Sequence, residues 1–139
     1  MSQHLVTLLL GSNLDLPERN IDIAISKIED EIGSVVERSE ILHTKPVEFV
    51  SNNIFCNIAV VIKTQFSPIK LLNSLKNIEC KMGRIEDSKV SNQYTDRIID
   101  IDIVEFGALQ FECKRLEIPH KKHLFMREFS KNLLLSLKN

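Results

Sequence analysis

The chain has 139 residues, of which 43% are hydrophobic, and this length and composition predict one domain over residues 1–139 with a single core. Its 18 basic and 19 acidic residues give a net charge of -1, so we expect small-molecule partners and no nucleic acid or membrane. The early apolar run LVTLLL is too short to span a bilayer and lacks the flanks of a signal peptide, which predicts a cytoplasmic protein.

The cysteines are the first candidate metal ligands in the chain. Cys56, Cys80 and Cys113 are an odd number and have no local metal-ligand spacing. We therefore expect three reduced structural residues and no zinc site.

The first predicted elements are a strand and a helix. Residues 5–10 are a short apolar run that ends at the turn-like sequence LGSN, to which we assign no chemistry. Asp15 and Glu18 then have the spacing of a capping box. Isoleucines and an alanine recur at helical spacing as far as Gly33, which predicts the first helix.

Two strands and a second helix follow. Residues 34–44 and 53–64 are rich in β-branched side chains and predict strands that could pair antiparallel. Ser67 is a predicted N-cap followed by proline, and the helix that it begins ends at Gly83. Residues 84–96 are mostly polar without sustained periodicity, and they predict a mobile loop.

The last predicted elements are a strand at 98–106, a hairpin-like piece that ends at Ile118, and an amphipathic helix at 122–137. The complete order is β-α-β-β-α-β with an added hairpin and C-terminal helix. This order predicts an α+β fold, specifically a ferredoxin-like sandwich.

Two aspartates interrupt the strand at 98–106. Asp100 and Asp102 are two residues apart, so they share one face about 6.5–7 Å apart along the chain, while isoleucines occupy the other face. Two carboxylates this close should raise one another's pKa unless a cation lies between them. Mg²⁺, held by carboxylates together with substrate phosphates, suits such a pair. A strand with one solvated face explains the same pattern, and the motif alone leaves both interpretations open.

Basic residues accompany the aspartates. Arg97 directly precedes them and Arg84 lies at the far end of the predicted loop. Phosphoryl transfer depends on positioning and on positive charge around the transferred group, which these residues could supply. A second basic cluster lies within residues 114–127, and a solvated surface face is the alternative explanation for it.

Several motifs in the same order resemble the 6-hydroxymethyl-7,8-dihydropterin pyrophosphokinases of folate biosynthesis. They are LLLGSNL, HTKPVEF, FCNIAVVIKT, NIECKMGR, RIIDIDIV, and IPH followed by REF, and they cover nearly the whole chain. The resemblance implies a ferredoxin-like fold and transfer of diphosphate from ATP to the pterin hydroxymethyl group, with AMP as the other product. It also implies ATP as co-substrate and two Mg²⁺ ions as cofactors, and we expect a monomer.

The resemblance assigns roles to individual residues. Asp100 and Asp102 would hold the metal ions, and Arg84 and Arg97 would stabilise charge during transfer. The implied nucleotide-binding residues are Glu79, Ile103, Arg115, His120 and Arg127. The implied pterin-binding residues are Thr44, Pro46, Val47, Phe55, Asn57 and Phe129. Core packing is the alternative explanation for the two phenylalanines, and backbone hydrogen bonding is the alternative for Asn57.

The chain also departs from the family pattern. Glu86 stands where the family has a basic residue, and Tyr94 and Asp96 replace a tryptophan and a proline before Arg97. The loop is about three residues longer than in bacterial members. One extra residue separates His120 from Arg127.

Two other functions are compatible with parts of the sequence. A nucleotidyltransferase of the polymerase-β type also has GS followed by D-x-D. In that class the two motifs lie within about one helix of each other, whereas in this chain they are far apart. The non-enzymatic alternative is a degenerate ferredoxin-like module that binds pterin or nucleotide without activity. The intact aspartates favour the enzyme.

Overall fold

The computed structural model describes residues 3–14, 16–44, 54–83 and 98–137, and the elements below lie in these ranges. The main sheet contains β1 (His4–Ser12), β2 (Gly33–Arg38), β3 (Leu42–Thr44), β4 (Phe55–Thr64) and β5 (Asp100–Phe106). A separate hairpin contains β6 (Phe111–Cys113) and β7 (Leu116–Ile118). The helical segments are α1 (Pro17–Glu31), α2 (Pro68–Lys81), a π-helical turn (Lys122–Met126) and α3 (Glu128–Ser136).

The main sheet has the strand order β2-β4-β1-β5, and every neighbouring pair is antiparallel. β3 pairs with β4 beyond the end of β2, on the same edge. The predicted mixture of helices and an antiparallel sheet is therefore confirmed, as is the antiparallel pairing of the second and third predicted strands.

The single strand predicted at 34–44 is wrong, because the structure divides it into β2 and β3. Ser39 lies at the break. Its amide donates to Ala59 O at 2.8 Å, and its hydroxyl oxygen accepts from Ala59 N at 3.0 Å. A side chain thus replaces one rung of the ladder, which allows the edge strand to change direction without leaving the Ala59 amide unpaired.

The sheet is covered on both faces, and this explains the continuous apolar sequence of β1. One face, called here the α1/α2 face, carries Leu8 and Leu10, which are fully buried in the larger core with both helices. The opposite face carries Leu9, which packs in a second core with Leu133 and Leu134 of α3. Neighbouring residues of β1 therefore contribute to different cores.

The ends of the helices partly match the prediction. Ser67 caps α2, since its hydroxyl oxygen accepts from Lys70 N at 3.2 Å. α1 begins at Pro17 after Leu16, whose side chain makes no capping hydrogen bond within the described part of the chain. The predicted cap one residue earlier, at Asp15, is therefore wrong as to position, and Asp15 itself lies outside the described residues.

The predicted C-terminal helix at 122–137 is not continuous. Its first five residues form the π-helical turn, and Arg127 has extended backbone angles, φ -105° and ψ 116°, before α3 begins. The predicted loop at 84–96 lies outside the described residues. Among the helices that the structure describes, none combines the length and the apolar character needed to cross a membrane.

Candidate active site

The register of the main sheet brings the aspartates next to a predicted pterin-binding residue. On β1, Gly11 pairs with Asn57 of β4 on one side and with Asp100 of β5 on the other. Residues paired in this way share a face, and adjacent strands lie about 4.8 Å apart, so Asn57 and Asp100 are separated by about 10 Å. In the next row on this face, Leu9 pairs with Asp102. The face opposite α1/α2 thus carries both aspartates and Asn57.

Gly11 allows Asn57 and Phe55 to approach the backbone of β1 closely. A Cβ atom there would lie 2.7 Å from Asn57 Oδ1 and 2.9 Å from Phe55 Cε1, closer than unstrained contacts allow. The predicted end of the first strand before Gly11 is wrong, and the first three residues of LGSN are part of the strand and not only of a turn. β1 continues to Ser12, and a glycine inside a strand often marks a close approach by a ligand or by other groups of the protein.

Three of the implied pterin-binding residues lie together. Thr44 pairs with Phe55 across β3 and β4, both are half-buried, and Asn57 is buried two residues further on the same face. Phe129 lies in α3, but its side chain is outside the described part of the structure. Pro46 and Val47 are also outside the described residues.

Asp102 is held by a histidine that the sequence analysis placed in a basic cluster. His123 Nε2 lies 2.8 Å from Asp102 Oδ2, and His123 Nδ1 lies 2.9 Å from Ser130 Oγ. The Asp102 carboxylate accepts, so in a neutral ring Nδ1 accepts from the serine hydroxyl. His123 is 2% exposed, and the solvated-face explanation is therefore wrong for this residue. A single sequence offers no local signal for such a contact, because 21 positions separate the two residues.

The pKa of Asp102 is lowered, contrary to the expectation from the aspartate pair alone. Burial raises it, but the hydrogen bond from His123 and the charges of His123, His120 and Lys76 lower it by more. Cationic and hydrogen-bond-donating neighbours therefore decide the ionisation of this carboxylate. The expected increase in the pKa of each aspartate took into account only the charge of the other aspartate.

His120 is positioned by an irregularity in β5. The pairing between β1 and β5 skips Val104, and Val104 O accepts from His120 N at 2.8 Å. The His120 and His123 rings lie 4.2 Å apart between centroids. Burial, followed by the charge of His123, lowers the pKa of His120. At neutral pH His120 is thus a neutral hydrogen-bonding group.

The segment between His120 and Arg127 contains the π-helical turn. Arg127 N donates to Lys122 O at 2.9 Å, a bond to the fifth preceding residue where an α-helix would use the fourth. One additional residue is therefore wound into the turn without opening it. His123, which contacts Asp102, lies in this turn.

Glu79 supports the strand between the two aspartates. Its carboxylate is 2% exposed, accepts from Ile101 N at 2.6 Å, and lies 3.5 Å from Lys76 Nζ. β5 is the edge of the main sheet in the described part of the chain, so its outward amides need acceptors other than a strand. Glu79 supplies one of these acceptors.

The other implied nucleotide-binding residues are more dispersed. Ile103 is 3% exposed and packs in the core of the α1/α2 face. Arg115, in the turn of the β6–β7 hairpin, donates to Asn73 Oδ1 of α2. Arg127 is half-buried between the π-helical turn and α3. Arg84 and Arg97 lie outside the described residues.

The aspartates fit Mg²⁺. Both are partly accessible on one face, and the Asp102 side chain is 30% exposed. A carboxylate can accept a hydrogen bond on one oxygen and ligate a metal ion with the other, and such bonds orient metal ligands. His120 and His123 each place a ring nitrogen within 4.8 Å of the Asp102 carboxylate, but Mg²⁺ prefers oxygen ligands. The two imidazoles therefore suit a supporting position around the carboxylates.

Comparison with known families settles the relationship. The model of the 7,8-dihydro-6-hydroxymethylpterin-pyrophosphokinase (HPPK) family matches residues 7–139. The chain belongs to the HPPK family. It is 30% identical over 126 residues to the 2-amino-4-hydroxy-6-hydroxymethyldihydropteridine pyrophosphokinase of Porphyromonas gingivalis, covering 90% of this chain and 84% of that protein. The Bacillus subtilis enzyme of the same name is 31% identical over 114 residues, covering 81% and 66%.

HPPK relatives also include longer proteins. A folate synthesis bifunctional protein of Arabidopsis thaliana is 34% identical over 117 residues, and the chain spans 24% of its length. A Plasmodium falciparum HPPK-DHPS crystal structure with pterin and p-hydroxybenzoate aligns with a TM-score of 0.65 and 17% identity, covering 95% of this chain and 39% of that one. At this identity the match shows the fold alone.

Proposed function

We propose that the chain is an ATP-dependent diphosphotransferase that acts on the hydroxymethyl group of 6-hydroxymethyl-7,8-dihydropterin in folate biosynthesis and releases AMP. Membership of the HPPK family and the names of its relatives support this activity. The observation that carries it in this structure is the row Asn57–Gly11–Asp100, which sets a polar amide about 10 Å from a carboxylate on one face of the sheet. A flat heterocycle bound at Asn57 would direct its substituent toward Asp100.

The pterin is held by complementary groups. The Asn57 amide has both donors and acceptors for the polar edge of the ring, and Phe55 offers an aromatic face. Gly11 has no side chain, and this lets Asn57 and Phe55 keep their positions against β1. The pterin-binding set is Thr44, Pro46, Val47, Phe55, Asn57 and Phe129, of which Pro46 and Val47 are proposed from the sequence.

Asp100 and Asp102 hold Mg²⁺, and we propose two ions. When bound, Mg²⁺ neutralises phosphate charge and fixes the position of the triphosphate. His123 orients the Asp102 carboxylate, Ser130 orients His123, and Glu79 fixes the backbone between the aspartates. These three residues act through the ligands and are positioning residues.

In the transfer, the hydroxymethyl oxygen forms a bond to the β-phosphorus of ATP. The bond from that phosphorus to the oxygen that bridges to the α-phosphate breaks, so AMP leaves and the hydroxyl proton is released. We assign charge stabilisation to Arg84 and Arg97 from the sequence. The nucleotide-binding set proposed from the sequence is Ile103, Arg115, His120 and Arg127, together with Glu79, whose buried carboxylate acts indirectly through the backbone of β5.

We also infer a ferredoxin-like topology for the main sheet. If β2 and β3 count as one interrupted strand, the order β2-β4-β1-β5 with antiparallel neighbours and helices after the first and third strands supports it. A single domain, a monomer and a cytoplasmic location complete the proposal, and these three rest on the sequence.

One assay tests the activity. Purified protein is given hydroxymethyldihydropterin, ATP and Mg²⁺, and AMP release is measured for the wild type, Asp100→Asn and Asp102→Asn. We expect turnover in the wild type and a loss of about 100-fold or more in each variant, because an amide lacks the charge that a hard cation requires. Asp30→Asn, on an exposed part of α1, is the matched control and should keep full activity.

Two results would contradict the proposal. Near-normal turnover in both aspartate variants would show that the metal assignment is wrong. Binding of pterin and nucleotide by the wild type with no AMP release would identify a binding module instead of an enzyme.

A further inference from the structure

A second cluster of metal-ligating side chains lies on the α1/α2 face, across the sheet from the candidate active site. His43 of β3 pairs directly with Cys56 of β4, and Cys56 packs in the core of this face. Glu18, in the first turn of α1, places Oε1 2.7 Å from His43 Nε2. One ligand atom from each of the three residues lies within 4.8 Å of the other two.

Burial within the cluster is graded from the core to the surface. Cys56 is 3% exposed, whereas the side chains of His43 and Glu18 are 50% and 60% exposed. The sulfur therefore lies at the base of the cluster, and the nitrogen and oxygen donors lie at its rim. Because the His43 and Glu18 side chains are half exposed or more, an ion can approach these two donors from solvent.

The donor set selects a class of metal ion. A thiolate, an imidazole and a carboxylate are the ligands of zinc-class ions, at about 2.3 Å for sulfur and about 2.0–2.2 Å for nitrogen and oxygen. Mg²⁺ prefers oxygen ligands, so a sulfur and nitrogen pair disfavours it. Three protein ligands and one water would complete a tetrahedral site.

Two simpler explanations account for less of the geometry. An exposed His43–Glu18 pair contributes little to stability and does not need a cysteine beside it. A nucleophilic cysteine needs a thiolate, but burial, followed by the charge of Glu18, raises the pKa of Cys56 and keeps it protonated. A bound cation would reverse this preference and stabilise the thiolate.

We propose that Glu18, His43 and Cys56 form a binding site for a divalent ion of the zinc class. On binding, the ion forms a bond to the Cys56 sulfur, and the thiol proton is released to solvent without oxidation or reduction. The ion would tie the first turn of α1 to β3 and β4, which carry Thr44 and Asn57 on their other face. The site is independent of the proposed reaction, and it replaces the expectation of no zinc site, which considered only spacing along the chain, whereas the three ligands come from separate elements.

Cobalt titration tests the site. The full chain is stripped of metal, supplied with excess Mg²⁺, and titrated with Co²⁺ while absorption is followed. We expect one equivalent of Co²⁺ to produce a thiolate-to-cobalt charge-transfer band in the near ultraviolet. Cys56→Ser should remove the band, and His43→Gln and Glu18→Gln should each weaken Co²⁺ binding by about tenfold or more, a loss that even outer-shell partners can cause.

Matched controls come from the other cysteines and from the active site. Cys80→Ser and Cys113→Ser, both at exposed positions, should keep the band, as should Asp102→Asn. Absence of the band in the wild type would overturn the proposal, as would a band that persists in Cys56→Ser. His43→Gln and Glu18→Gln change exposed side chains and should preserve folding. A band that neither substitution affects would therefore also overturn the proposal.

Discussion

At the scale of single residues, Gly11 contributes by lacking a side chain. We predict that Gly11→Ala raises the KM for the pterin about tenfold or more while kcat changes less, because the added methyl group displaces Asn57 and Phe55. Steady-state kinetics with varied pterin concentration measures this. Gly107→Ala is the control. Its φ of +54° makes the change cost about 1 kcal/mol of stability, but no described atom lies within 4 Å of the added carbon, so no neighbouring side chain is displaced. Equal KM changes in both variants would contradict the prediction.

His123 is the second residue whose role can be isolated. We predict that His123→Leu raises the Mg²⁺ concentration for half-maximal activity about tenfold or more, because Asp102 loses the donor that orients it. His123→Gln can still donate from its amide and should recover part of the loss, and Ser130→Ala should have a smaller effect. A residue that mattered for folding alone would reduce activity equally at every Mg²⁺ concentration.

His120 makes stability depend on pH in a defined direction. Its pKa is lowered from 6.5 in the folded protein, so the unfolded chain binds a proton at a higher pH than the folded one. The free energy of unfolding therefore falls as the pH drops below about 6.5, until the folded protein is also protonated. Urea unfolding at about pH 7.5 and about pH 5.5, without metal, should show a smaller decrease for His120→Asn than for the wild type. An unchanged decrease would rule out this contribution.

At the scale of elements, β5 lies at the edge of the main sheet in the described part of the chain, so its outward amides need hydrogen-bond acceptors from other elements. We predict that Glu79→Ala lowers the free energy of unfolding by about 1–3 kcal/mol, because the Ile101 amide loses its acceptor. Glu79→Gln keeps an acceptor and should lose less. Urea unfolding measures both, and equal losses would show that the hydrogen bond is not the cause.

The segment after β7 shows how a π-helical turn shapes the site. Compared with an α-helix, it holds one more residue in a single turn, since Arg127 N donates to Lys122 O. This turn presents His123 to Asp102. Helical π turns are often found at functional sites, and this one fits that pattern.

At the scale of the whole molecule, the larger hydrophobic core and the candidate active site lie on opposite faces of the main sheet. The α1/α2 face holds the larger core, whereas the opposite face has a smaller core at one end and the candidate active site at the other. The aspartates can therefore project from a strand that remains anchored by isoleucines on its other side. Stability and ligand binding are assigned to different faces of the same strands.

This arrangement predicts a link between ligands and global stability. With pterin and a non-hydrolysable ATP analogue at about 100 times their dissociation constants, each ligand adds about 2.7 kcal/mol, or roughly 10 °C in Tm, so the two together should raise Tm by roughly 20 °C. We expect the rise to require Mg²⁺ and to be largely lost in Asp100→Asn but kept in Asp30→Asn. Thermal unfolding monitored by circular dichroism measures it. A full rise in Asp100→Asn would show that Asp100 does not hold the metal ion.

Much of the fold follows from the sequence, because local patterns record burial. The alternation of Asp100 and Asp102 with isoleucines predicted one charged face and one anchored face, and Ser67 and the apolar stripe after it predicted α2. Motifs in order over nearly the whole chain predicted the family and the aspartate pair. These features depend on residues that are near one another in the chain.

The tertiary structure alone decided which distant residues meet. Gly11 lies between Asn57 and Asp100 because of strand register, and His123 reaches Asp102 because a turn closes over β5. The break at Ser39, the lowered pKa of Asp102 and the approach of Cys56 to a histidine and a glutamate have the same origin. Each depends on atoms brought close by chain folding, and a hydrogen bond or a charge acts through distance in space, which the order of residues does not specify.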